Sequence, residues 1–111
     1  KEQDKDNLLG ILDAIEKIKE YTTNIDDAED FFNSSMIFDA VLMNFVVIGE
    51  MVDRISLEFK EANLQIDWFK IKAFRNIVAH DYFGVDAEEV LQICKKDILV
   101  LENNINKILE Q

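Results

Sequence analysis

The chain contains no proline, and Gly10, Gly49 and Gly84 are its only glycines in 111 residues. Proline and glycine supply most sharp turns, so a chain this poor in both is restricted to few, long elements. The apolar residues decide their type. Leu8, Leu12, Ile15 and Ile18 recur at steps of three and four, and Val90, Cys94, Leu101, Ile105 and Ile108 follow the same period near the C-terminus. That spacing places each set on one face of a helix, and no stretch alternates as a strand would. The expectation is an all-α fold, a four- to five-helix up-and-down bundle that is homodimeric, with residues 1–111 as a single domain.

Four helices are readable. The first is expected from about Asp6 to Tyr21, followed by a polar break from Thr22 to Asp26. The second opens at Asp26 or Asp27, where Asp26-x-x-Glu29 reads as a capping box, and is expected to run to about Glu61. The third starts after Asp67 as N-cap and ends between His80 and Gly84, with Gly84 at a helix-ending or turn position. The fourth starts at Asp86, with Asp86-x-x-Glu89 as a second capping box, and continues to the C-terminus.

The middle of the second helix is apolar nearly all round, from Met36 to Val52. Asp39, Asn44 and Glu50 interrupt it, so it falls short of the ~18 uninterrupted apolar residues of a membrane span. In so small a bundle one helix is hard to cover on every side from its own chain. The surplus apolar face therefore points to a homodimer. The alternative is a central helix fully wrapped by the other three.

Lys and Arg total 12 against 23 Asp and Glu, a net charge of −11. That balance disfavours general binding to nucleic acid or anionic membranes, so any nucleic-acid contact has to be local. A single cysteine, Cys94, excludes an internal disulfide framework and reads as a core residue in a reducing compartment. The polar start, Lys1 to Asn7, does not resemble a signal peptide. A cytoplasmic protein with no membrane partner is the expectation.

One segment departs from the acidic average. Between Trp68 and His80 stand Lys70, Lys72 and Arg75 and no acid. Arg75, Asn76, His80, Asp81 and Tyr82 then gather five hydrogen-bonding or titratable side chains within eight residues, and His80 is the only histidine. A histidine can give and take protons near neutrality, and an arginine can hold a phosphate through parallel hydrogen bonds. Together they suit phosphodiester cleavage. His80 would move a proton from a 2′-hydroxyl or to the leaving oxygen, and Arg75 would stabilise charge on phosphorus.

The spacing sets a condition. Residues five apart on a regular helix differ by about 140° and ~7.5 Å, so Arg75 and His80 do not share a face, whereas Asn76 and His80 do. Either the helix loosens before His80, or the Arg75 side chain wraps round, or each group meets its copy across a dimer interface. Structural roles compete with this reading. A histidine near a helix C-terminus can be a favourable charge there. Arg75 could pair with Glu50 or Asp53, and Tyr82 and Phe83 could simply pack the loop.

Arg75-x-x-x-x-His80-x-Tyr82 resembles the Arg-x4-His-x-Tyr motif of the HEPN superfamily, specifically the HepT-like ribonuclease toxins. Ile48-Gly49-Glu50, Trp68 before the motif, and Asp81 and Phe83 around its end extend the likeness over nearly the whole chain. The resemblance implies a helical dimer whose motifs face one cleft, with Arg75 and His80 as the catalytic pair of an endoribonuclease that needs no metal or cofactor. It also implies a minimal nucleotidyltransferase antitoxin that silences the toxin by attaching AMP to the motif tyrosine, here Tyr82. The chain departs from the family pattern before Trp68, where Gln65-Ile66-Asp67 stands in place of a proline.

Supporting positions are Asn76, Asp81 and Glu50, the last expected as a buried acid that pairs with Arg75 and orients it. No metal site is expected, because His80 and Asp81 are adjacent and lack helical ligand spacing. Replacing either Arg75 or His80 should abolish cleavage and leave folding intact. Two other functional classes stay open: a non-catalytic nucleotide- or substrate-binding subunit of a nucleotidyltransferase, and a purely structural helical dimer.

Overall fold

The apolar periodicity becomes seven helical segments in the computed structural model, which describes residues 2–111. They are α1 (Glu2–Tyr21), α2 (Ala28–Asn33), α3 (Ser35–Arg54), α4 (Leu57–Ala62), α5 (Trp68–His80), α6 (Ala87–Gln92) and α7 (Ile98–Leu109). A 3-10 turn, Tyr82–Gly84, follows α5. A π-helical turn, Ile93–Asp97, joins α6 to α7 without a break. Three of the segments, α2, α4 and α6, are only six residues long, though α6 runs on through the π-turn. The rest form the expected all-α bundle.

The central element is α3, packed between α1 and α5, while α7 closes on α1 and α2 on α6. Its inner face carries Phe38, Val41, Leu42, Phe45, Ile48 and Val52, which meet Leu8, Ile11, Ile15 and Ile18 of α1. By length and hydropathy α3 could cross a membrane. In this fold it instead has a buried face and a wet one. Met36, Asp39, Met43, Val47 and Glu50 recur at steps of three and four on the wet side, where Met36 is 87% and Met43 61% exposed. The central helix is thus not wrapped by its own chain, and the surplus apolar face expected from the sequence is real.

The single long second helix is not observed. It breaks at Ser34 and again at Ile55–Ser56, so α2, α3 and α4 are separate. The first break lets Phe31 fold edge-on against Phe38, with ring centroids 4.9 Å apart. The second is held by Asp4 of α1, which is buried. Its carboxylate accepts the Ser56 amide and the Ser56 hydroxyl, both at 2.8 Å, while Ser56 Oγ caps α4 by accepting from the Phe59 amide. These partners lie far off in sequence, which is why local periodicity ran straight through. The same contact explains why α1 starts at Glu2, before the expected Asp6.

Helix starts follow the acids with small shifts. Asp27 caps α2 by accepting from Asp30 N, one place beyond the Asp26–Glu29 pairing. Asp67 caps α5, and Asp86 caps α6 through Glu88 N. Gly84 has no positive φ. A Cβ there would meet the Asp81 carboxylate, the end of an exposed side chain that can turn aside.

Cys94 is buried in the π-turn, and desolvation pushes its thiol up to about 12. The thiolate is the reactive form, so native protein should resist iodoacetamide at about pH 8 and be alkylated only once unfolded. Intact-mass measurement with and without denaturant checks this; rapid native labelling would contradict the packing described.

Candidate active site

Trp68 sets the start of α5. Its indole N–H is shared between the carbonyls of Lys60 and Asn63, each 3.1 Å away, and its ring meets Phe59 edge-on. The Asp67 carboxylate accepts the Lys70 amide at 3.0 Å. A side-chain cap and an anchored indole thus do the work at the point where the family pattern often has proline. From there α5 runs without interruption to His80.

Arg75 turns inward and is only 8% exposed. Its guanidinium donates Nη1 to Glu50 and Nη2 to Asp53, the latter at 2.7 Å, and Nε donates to Asn76 Oδ1 at 2.9 Å. Lys72 adds a second cation to Asp53 at 3.4 Å. Gly49 makes this possible, because a Cβ there would collide with Cβ and Cγ of Arg75. The Arg75 stem crosses α3 at the one position without a side chain. The Ile48-Gly49-Glu50 run therefore has a physical reason: a gap for the arginine, then an acid to receive it. Glu50 pairs with Arg75 as expected, but it is half-exposed where a buried acid was expected.

The Arg75 guanidinium beside Asp53 holds that carboxyl below its usual value of 3.8, against the opposing effect of burial. Removing Arg75 would leave Glu50 without its cation and Asp53 with Lys72 alone, two like charges side by side on α3. The expectation that folding is indifferent to Arg75 is therefore revised: it is a structural clamp as well as a candidate catalytic group.

Tyr82 is tied elsewhere. Its phenol donates to the Asp39 carboxylate near the start of α3. That bond raises the phenol above its ordinary value of 10.0, with further upward contributions from burial and the Asp39 charge. Asp39 and Glu50 are eleven positions apart, or about 16 Å along a helix. The two ends of the motif are thus pinned to two separate points on one stripe of α3. His80 lies between them, exposed, and none of the described residues hydrogen-bonds to its imidazole. The Asp81 amide closes the helix on Ile77 O at 2.8 Å, while the Asp81 carboxylate lies against Gly84. Phe83 does not pack the loop: it is 97% exposed, with Tyr82 edge-on to it.

Two ways of joining Arg75 to His80 within one chain fail here. The helix does not loosen before His80, and the Arg75 side chain wraps towards α3. Asn76 stays on the exposed side with His80, though its amide oxygen supports Arg75. Asp39 was legible only as an interruption of the apolar run; its link to Tyr82 spans 43 residues. Among the described residues, no group of three or more His, Cys, Asp or Glu is placed to hold a metal ion.

An all-α bundle with this motif on its third long helix defines a HEPN-type domain. The family model described as Ribonuclease HepT-like matches residues 11–108, and the chain belongs to that family. It is 34% identical to a Thermococcus cleftensis protein named "Probable ribonuclease HepT", over 97% of both chains. It is 39% identical to a Methanocaldococcus jannaschii protein named "Gamma-glutamylcyclotransferase and putative RNase", over 91% of this chain and 45% of the relative, so the chain spans under half of that protein. A second protein of that organism, named "Putative RNase", is 32% identical over 88% of this chain and 89% of its own. No solved structure matches the chain.

Asp53 contributes stability above its unfolded pKa of 3.8, and that contribution is lost as pH falls through the lower folded value. Asp53→Asn should thus lower stability by about 0.5–1 kcal/mol at neutral pH, a figure discounted for solvent screening. The gap from wild type should narrow as pH falls below 3.8 and through the lower folded value. Urea melts across pH check this, and a gap unchanged at low pH would contradict the ion pair.

Proposed function

We propose that this chain is an endoribonuclease toxin that works as a homodimer, with Arg75 and His80 as a metal-independent catalytic pair in a cleft shared by two copies. The observation that carries the reading is the separation of these residues within one chain on a regular helix, beside an exposed apolar stripe. Met36 and Met43 lie on the same side of α3 as Asp39 and Glu50, the acids that hold Tyr82 and Arg75. A second copy docked there would cover the methionines and bring two motifs to one cleft.

Membership of the HepT-like family supports RNA as substrate. His80, exposed and unengaged, is free to exchange a proton with the ribose 2′-hydroxyl or the departing 5′-oxygen. The attacking 2′-oxygen would form the new bond to phosphorus as the 5′-oxygen leaves. Arg75 has five N–H donors and spends three on Glu50, Asp53 and Asn76, so two remain for phosphate oxygens. Asn76 and Glu50 hold it in place, and Asp81 shapes the turn behind His80.

Tyr82 is the proposed acceptor of AMP from a nucleotidyltransferase partner. Its phenol oxygen would attack the α-phosphorus of ATP, with pyrophosphate leaving and the phenol proton lost. The added group would place a bulky anion two residues from His80 and replace the proton donated to Asp39.

One observation favours a second reading, a non-catalytic nucleotide- or substrate-binding subunit of a nucleotidyltransferase. Arg75 is already engaged by two carboxylates in the single chain, as a structural arginine would be.

Cleavage of total cellular RNA by unmodified protein in excess EDTA separates the two, with His80→Ala alongside. The expected result is cleavage by wild type and a loss of at least about 100-fold in the variant, the scale of a lost acid–base group. No cleavage by wild type with an unmodified Tyr82, checked by intact mass, would favour the binding subunit.

A further inference from the structure

We propose that Phe83 is a stacking platform for a nucleobase of single-stranded RNA next to the scissile phosphate, an inference that rests on the ribonuclease reading above. Burying a phenylalanine stabilises a fold, so one left 97% exposed is not serving it. Its one ring neighbour, Tyr82, stands edge-on with centroids 5.2 Å apart and planes at 83°. The ring is presented on a fixed turn. Gly84 N donates to Asp81 O at 3.0 Å, Val85 N to Tyr82 O at 3.3 Å, and the Tyr82 phenol is anchored to Asp39. An exposed aromatic on a tied-down turn, three residues from His80, loses little freedom when a base lands on it.

Charge makes the same point. RNA-binding surfaces usually draw affinity from free Lys and Arg on phosphates. Here the body carries −11, Arg75 spends three of its five donors on Glu50, Asp53 and Asn76, and Lys72 is paired with Asp53. With so few cations near His80, phosphate contacts supply only part of the affinity, and uncharged stacking, which is tolerant of sequence, supplies the rest. A paired base in an A-form helix offers no free face, so the platform selects unpaired nucleotides. The substrate class that follows is single-stranded or looped RNA, bound with a shallow salt dependence.

The test uses His80→Ala protein, so that binding is read without cleavage, and a fluorescein-labelled oligoribonucleotide of about ten nucleotides, alone and annealed to its complement. Adding Phe83→Ala should weaken single-strand binding roughly 5- to 100-fold, Phe83→Trp should restore it, and Phe83→Leu should not. In the Phe83→Trp variant, the fluorescence of the added indole should be quenched by the unlabelled single strand and not by the duplex. Unchanged affinity in Phe83→Ala, or rescue by Leu equal to that by Trp, would overturn the proposal. Dissociation of a dimer into monomers by Phe83→Ala, seen by sedimentation, would also overturn it and make the ring a protein contact. No RNA binding by the His80→Ala parent, with folding confirmed by circular dichroism, would overturn the ribonuclease reading with it.

Discussion

The ion pairs of Arg75 with Glu50 and Asp53 are the interaction on which the arrangement depends. They fix α5 against α3 at the single position, Gly49, where the two helices can approach closely enough. A guanidinium almost closed off from solvent needs its donors satisfied, and two carboxylates with the Asn76 amide oxygen satisfy three of five. With Arg75 turned to α3, the regular helix sends His80 out to solvent about one and a half turns later. The Tyr82–Asp39 bond then draws the following turn back onto the same helix. One stripe of α3 therefore holds both ends of the motif and leaves its middle exposed.

That geometry joins fold to function. The proposed catalytic pair is separated along one chain, and the exposed methionines beside it offer the surface through which a second chain could complete a site. The acidic body adds a constraint. A nuclease carrying this charge repels RNA at long range, so recognition depends on contacts within a few ångströms of the motif, where salt screening weakens the rest of the charge. A modification at Tyr82 would act in that same small region.

Much of this was legible in the residues. Helical period, acidic caps and the want of proline gave the helix class, the start of α5 after Asp67 and an end between His80 and Gly84. The Arg75 pairing with Glu50 or Asp53 could be anticipated because mid-helix arginines near a neighbouring helix seek acids. The breaks at Ser34 and Ser56 could not, because the Phe31–Phe38 contact and the reach of Asp4 to Ser56 are tertiary facts without local signal. The partner of Tyr82 was hidden for the same reason: Asp39 read only as an interruption of an apolar run. Gly49 was visible as part of a family pattern, but its purpose emerged only when the Arg75 stem was seen to occupy the space of its missing side chain.

The most direct test of the shared-cleft account is sedimentation of the wild-type protein over a concentration series, with RNA cleavage per chain measured at each point. The account predicts a species of about twice the 12.9 kDa chain mass, and a rate per chain that falls in step with the dimer fraction on dilution. A 12.9 kDa monomer that cleaves at an undiminished rate per chain would contradict it.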